Sequence, residues 1–168
     1  MRTNIFTSRL VFILITLFSF GSVAYAVYAQ IYENMDPCPL CIVQRIIYTA
    51  VGLVALIAAI TNCQKNGRIV FALLTLLISC GGIYIAHHHS WLQGLPLDQL
   101  PMSCGMPMSV MFKNMPLTGF LHTVLSGTAE CAMMHWQIFG INAPKVSMYG
   151  FILTAVASAY ILICSRKK

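Results

Sequence analysis

Four uninterrupted apolar segments constrain what this chain can become. They run near residues 10–28, 42–60, 69–86 and 146–164. Each is 18 or 19 residues long, close to the ~20 that an α-helix needs to cross the hydrocarbon core of a bilayer. None carries the helix-period polarity of a surface helix in a soluble domain. Only 8% of the 168 residues are charged, against about 25% in ordinary soluble domains. No long polar region remains to build a large water-facing domain. The sequence therefore predicts an all-α membrane protein: a single membrane domain over 1–168, folded as a four-transmembrane-helix bundle.

The charges set an orientation. Arg2, Arg9, Lys65, Arg68, Arg166, Lys167 and Lys168 fall on one side with no acidic residue. The other side holds Arg45, Lys113 and Lys145 with Glu33, Asp36, Asp98 and Glu130. The positive-inside rule puts both termini and the 61–68 loop in the cytoplasm, with 29–41 and 87–145 outside. The net charge of +6 is thus explained by topology. The basic residues form no stripe with interleaved aromatics, so nucleic acid is not an expected partner. The small-x-small run Ala24–Ala29 after the first segment resembles a signal-peptidase site, but the apolar run exceeds the usual signal-peptide core, and a retained helix is expected.

Gly82 and Ala86 are four apart in the third segment, and Gly150, Thr154 and Ser158 form a four-spaced row in the fourth. Such small residues let helices approach closely in lipid. Within the long outer stretch, Leu117, Phe120, Leu121, Val124 and Leu125 follow an amphipathic helical pattern, with Pro116 suited to its start and Gly127 to its end. This short helix is expected to lie in the outer interface.

Chemistry concentrates at Cys38-Pro39-Leu40-Cys41-Ile42-Val43-Gln44-Arg45. Pro39 suits a first helical position and Cys38 a cap. Cys41 then sits in the first turn, near free N–H groups and the positive end of the helix dipole, with Arg45 one turn on. These features favour a Cys41 thiolate. Taken alone, the pair fits a redox dithiol, a structural disulfide or half of a zinc site. Of seven cysteines, four are expected outside: Cys38, Cys41, Cys104 and Cys131. Three pairings are open to them. Joining the close pair leaves Cys104–Cys131, whose 28-residue loop would gain roughly 3–4 kcal/mol from closure. Cys63, Cys80 and Cys164 read as structural. Two outer disulfides at one surface can relay electrons by thiol–disulfide exchange, with bilayer quinone as the natural acceptor for the pair at membrane depth.

The CPLCIVQR stretch, the later Cys104 and Cys131, His89-Ser90-Trp91-Leu92-Gln93, the segment 126–132, Trp136, Phe139 and Gly140, in this order, resemble the DsbB family of membrane disulfide oxidoreductases. The resemblance covers nearly the whole chain. It implies a bacterial inner-membrane enzyme that reoxidises a periplasmic DsbA-like thioredoxin-fold partner and passes electrons to quinone, ubiquinone or menaquinone. By that resemblance the partner thiolate attacks Cys104, Cys131 attacks Cys38, and Cys41 faces the quinone, with Arg45 and His89 as further quinone contacts and no metal. Two departures stand out. Gln44 replaces the acidic residue common before the arginine, leaving Arg45 without a competing negative neighbour. Ala129-Glu130 adds a residue before Cys131. A competing expectation is a copper-binding or metal-transport protein using His87, His88, His89 and the loop methionines Met102, Met106, Met108, Met111 and Met115.

Overall fold

The computed structural model describes residues 2–33, 37–61, 64–96, 116–133, 137–138 and 140–166. Four long helices carry the apolar segments: α1 (Arg2–Tyr32), α2 (Pro39–Thr61), α3 (Lys65–Leu92) and α6 (Ala143–Arg166). All four are long and apolar enough to cross a membrane. Between α3 and α6 lie two short helices, α4 (Leu117–Ser126) and α5 (Ala129–Met133), and a hairpin of β1 (Gln137–Ile138) with β2 (Ile141–Asn142). Gly140, at φ 79°, closes the hairpin turn, a conformation glycine adopts without steric penalty.

The helices outrun the apolar segments that announced them. The third was expected to end near residue 86, yet α3 continues to Leu92, so residues 87–92 are helix and not loop. The extra turns carry His88 and His89, and both imidazoles find partners there. Polar side chains with partners let a helix run on past its lipid-facing length. At the start of α2, Pro39 is the first helical residue, as its fixed φ and missing N–H favour. The expected short helix is present as α4, entered at Pro116 and ended at Gly127.

In lipid there is little hydrophobic drive between helices, so close packing and hydrogen bonds hold the bundle. Leu17, Ile60, Leu77, Val156 and Ile163 point outward, more than half exposed, as lipid-facing residues do. Inside, α2 turns one stripe inward, including Tyr48, Val51, Gly52, Ala55 and Ala59. Phe12 and Ile15 of α1, Ala72 of α3 and Ile161 of α6 meet it. Of the small residues noted in the third and fourth segments, Gly82 and Thr154 make the α3–α6 contact, while Gly150 faces Tyr48 of α2 and Phe18 of α1. A Cβ on Gly82 would stand 2.6 Å from the Phe151 ring, and Ser79 shares a 3.0 Å hydroxyl–hydroxyl hydrogen bond with Thr154. Tyr48 stacks on Phe151 at 4.0 Å between centroids and donates to the Ser147 carbonyl at 2.9 Å. The end of α1, the start of α2, the end of α3 and the start of α6 therefore lie at one end of the bundle.

Gly82 has no room for a side chain, and overpacking of this kind costs about 1–3 kcal/mol. Gly82→Val should lower the thermal midpoint of the detergent-solubilised protein. An unchanged midpoint would contradict this packing.

Candidate functional site

The first N–H groups of a helix have no partner within it, and at the start of α2 sulfur supplies one. The Ile42 N–H donates to the Cys38 carbonyl at 3.2 Å, opening the helix. The Cys41 N–H donates to Cys38 Sγ at 3.4 Å. Cys38 is thus the cap by both backbone and side chain, as its place before Pro39 foretold. Its sulfur also lies 2.9 Å from Cys41 Sγ, so the single Cys38 thiol hydrogen is within reach of both Cys41 and Cys131.

Cys131 arrives from the opposite side of the chain. Gly127 ends α4 at φ 81°. A side chain there would run into Leu92 and come within 3.2 Å of Leu40, so glycine alone lets the backbone pass this close. The chain then turns into α5, where the Cys131 N–H donates to the Thr128 carbonyl at 2.9 Å and the Thr128 hydroxyl lies 3.7 Å from Cys131 Sγ. Cys131 ends wholly buried. Its sulfur, Cys38 Sγ and a His89 ring nitrogen all lie within 4.8 Å of one another. Leu40, Ile85 and Leu92 pack around the sulfurs.

The two sulfurs share protons unequally. Cys131 is held below the ordinary thiol range, first by the hydrogen bond from Cys38, then, against the opposing effect of burial, by the N–H groups of Thr128 and Leu40. The Leu40 N–H is another free donor at the start of α2. Cys38 is pushed the other way by its hydrogen bonds to Cys131 and Cys41 and by burial. Cys131 is thus the more acidic thiol of the reduced pair, and the N–H groups of Thr128 and Leu40, which do not depend on the state of Cys38, favour it as a nucleophile in thiol–disulfide exchange.

His89 is 1% exposed and joins the cluster. Its Nε2 lies 3.2 Å from the Cys131 carbonyl and 3.7 Å from Cys38 Sγ. Its Nδ1 lies 3.2 Å from Gln44 Nε2. A carbonyl only accepts, so the hydrogen must be on Nε2, and Nδ1 accepts from the Gln44 amide. The Cys131 carbonyl therefore sets the tautomer of His89, and the Gln44 amide complements it. The sequence did not single out Gln44 for this; the available signal was an amide in an apolar segment, one turn from Cys41.

Cys41 faces elsewhere. Together with Arg45 it lines a cavity of about 210 Å³ between α1, α2 and the start of α6, whose wall includes Phe18, Ala26, Tyr48 and Pro144. Arg45 donates to Gln30 Oε1 at 2.6 Å and to the Ala26 carbonyl at 3.0 Å. It is anchored to α1 rather than standing free, although a guanidinium has five donors and these contacts leave some unused. His89 does not line this cavity. It stands with the Cys38–Cys131 cluster. Cys104 and Cys63 lie outside the described residues, as do Trp136, Phe139 and the five loop methionines. The histidine triplet does not converge: His88 stacks on Trp91 and meets the Ser126 carbonyl, while His89 turns to the cysteines.

Two outcomes follow. In the fully reduced protein, titration of thiolate ultraviolet absorbance should show a first thiolate forming below the ordinary cysteine range. Because its pKa is lowered, this thiolate persists as pH falls toward neutrality, and adding Cys131→Ser to a Cys41→Ser protein should remove it. Gly127→Ala should destabilise the protein by about 1–3 kcal/mol, the cost of a side chain in a left-handed conformation, measured by thermal unfolding.

The family profile described as "Disulfide bond formation protein DsbB" matches residues 8–161. Proteins named Disulfide bond formation protein B are similar over most of their length. The one from Nitrosococcus oceani is 41% identical over 137 residues, covering 82% of this chain and 80% of that protein. The one from Hahella chejuensis is 38% identical over 151 residues, 89% and 91% of the two chains. The one from Stutzerimonas stutzeri is 39% identical over 155 residues, 92% and 94%. With four membrane-length helices and cysteines gathered at one end, this chain belongs to the DsbB family of membrane disulfide bond formation proteins.

Proposed function

We propose that the protein is an inner-membrane oxidoreductase that reoxidises a periplasmic DsbA-like thioredoxin-fold partner and passes the electrons to membrane quinone, with both termini cytoplasmic. One observation carries the reading: Cys131 and Cys38 lie together in a buried cluster, while Cys41, three residues from Cys38, opens onto an apolar cavity. The donor couple and the acceptor couple thus meet through Cys38.

In this mechanism Cys104 and Cys131 begin as a disulfide. The partner's thiolate attacks Cys104, releasing Cys131 as thiolate, and the partner's second thiol resolves the mixed disulfide, leaving the partner oxidised. Cys131, already stabilised as a thiolate at the start of α2, attacks Cys38 of the Cys38–Cys41 disulfide. Cys41 leaves as thiolate, a departure that the positive end of the α2 dipole favours. Cys104 then attacks Cys131, restoring their disulfide and releasing Cys38. The residues around the cavity fit a quinone head group: the wall is mostly apolar, Cys41 supplies the reducing sulfur, and Arg45 supplies a fixed cation held by Gln30 and Ala26. Quinone, when bound there, accepts two electrons and two protons as Cys38 and Cys41 return to the disulfide. A fixed cation in such a site stabilises developing negative charge well, because it needs no reorganisation. Removing one such group typically lowers rates by about 100–1000-fold.

Purified protein with a reduced DsbA-like partner and a short-chain quinone should consume quinone absorbance as the partner oxidises. Cys104→Ser should abolish partner oxidation, and so should Cys131→Ala, which leaves Cys104 with no disulfide for the partner to attack. Arg45→Met should cut quinone reduction by at least about ten-fold while leaving the stoichiometric exchange between reduced partner and the Cys104–Cys131 disulfide intact. A Cys104→Ser protein working at the unmodified rate would remove the mechanism.

A further inference from the structure

The cluster of Cys38, His89 and Cys131 holds two sulfurs and an imidazole, and thiol exchange uses only the sulfurs. Among the described residues these are the one group of three or more such side chains with mutually close donor atoms, all within 4.8 Å. We propose that, in the dithiol state, Cys38, Cys131 and His89 form a binding site for a thiophilic divalent ion of the zinc type, which locks the protein against exchange.

Three observations support this. The first is spacing. A tetrahedral ion with bonds of about 2.3 Å to sulfur and 2.0–2.1 Å to nitrogen holds such ligand atoms roughly 3.6 Å apart, and His89 Nε2 is 3.7 Å from Cys38 Sγ. Cys41 Sγ, at 2.9 Å from Cys38 Sγ, is too close to share the ion as it stands and is not needed. The second is charge. Two thiolates and a neutral imidazole around a divalent ion sum to zero, the one total that a pocket of Leu40, Ile85 and Leu92 holds without an unpaired buried charge. The third is the outer contact of the imidazole. Metal-bound histidines have their second ring nitrogen held by a neighbouring group, and here Gln44 holds Nδ1. The tautomer must change for the ion to bind: Nε2 gives up its hydrogen, Nδ1 gains one, and the Gln44 amide turns to present Oε1. A glutamine allows this because its two ends donate and accept in turn. Binding is then an exchange of the ion for two thiol protons, with no change of oxidation state. The blocking of exchange rests on the oxidoreductase reading above; the binding itself does not.

The test uses full-length, fully reduced protein in detergent, with Cys63, Cys80 and Cys164 replaced by alanine and Cys41→Ser added. That last change destroys the simple Cys38–Cys41 chelate and leaves the proposed site whole. Cadmium is the probe, read by sulfur-to-metal charge-transfer absorbance without partner or quinone. One equivalent should bind. His89→Gln should weaken binding at least ten-fold and Cys131→Ser at least a hundred-fold, with helix content unchanged by circular dichroism. Absence of binding, or binding indifferent to both changes, would overturn the proposal. Zinc X-ray absorption on the reduced protein with no cysteine replaced guards against misfolded variants: a nitrogen neighbour beside the sulfurs supports the site, and a sulfur-only shell overturns it. Should the site hold but zinc fail to slow partner oxidation, the fault lies in the exchange mechanism and not in the binding.

Discussion

The start of α2 is a helix end with its backbone donors in an apolar setting, and the arrangement around it follows from finding acceptors for those donors. Water does not reach the buried sulfurs easily, so sulfur takes the role that hydroxyl or carboxylate oxygens take at an ordinary cap. Cys38 accepts from Cys41, and Cys131 draws on Leu40. Two cysteines from distant parts of the chain are thereby drawn to one helix terminus. The same donors that complete the helix also stabilise negative charge on sulfur, so a structural need and a chemical one are met by the same atoms.

Around this terminus the bundle supplies position more than stability. Gly82 against Phe151, Ser79 against Thr154 and Tyr48 on Phe151 fix α3 and α6 to each other and to α2. That fixes how high His89 stands beside Gln44. Arg45, tied to Gln30 and Ala26, sets the distance between α1 and α2 and so the width of the cavity onto which Cys41 opens. Cys38 and Cys41, three residues apart, are thus turned to two different environments, one closed and one open.

The spans, the helix start at Pro39, the sulfur cap and the helix from Leu117 were legible in sequence, because each rests on local periodicity or on a residue with a single steric use. The small residues of the third and fourth segments announced close packing but not that α3 and α6 would be the pair. The extension of α3 was not, since nothing local says that His88 and His89 will find partners on other segments. The hairpin of β1 and β2 was not either: two-residue strands carry no periodicity to detect. Arg45 was correctly placed on the face of Cys41, yet its bonds to Gln30 and Ala26 depend on how α1 leans. Gln44 was read for what it lacks, a negative charge; what it does, holding His89 Nδ1, needed the packing of α3 on α2. His89 sits with Cys131 and not at the cavity because α5 brings a carbonyl to it, and no spacing in the chain encodes that approach.

The hydrogen bond from Asn142 Nδ2 to Gln93 Oε1, 3.3 Å long, ties the chain just after α3 to the chain just before α6. Whatever lies between leaves and returns through one clasp. The entropy of closing such an excursion grows only logarithmically with its length, by about 0.6 kcal/mol for each doubling. Changes in chain length between the clasp and α4 are therefore nearly neutral for the spanning helices, whereas α4 and α5 must keep their place, because Gly127 packs against Leu92 and Leu40 and Cys131 stands beside Cys38.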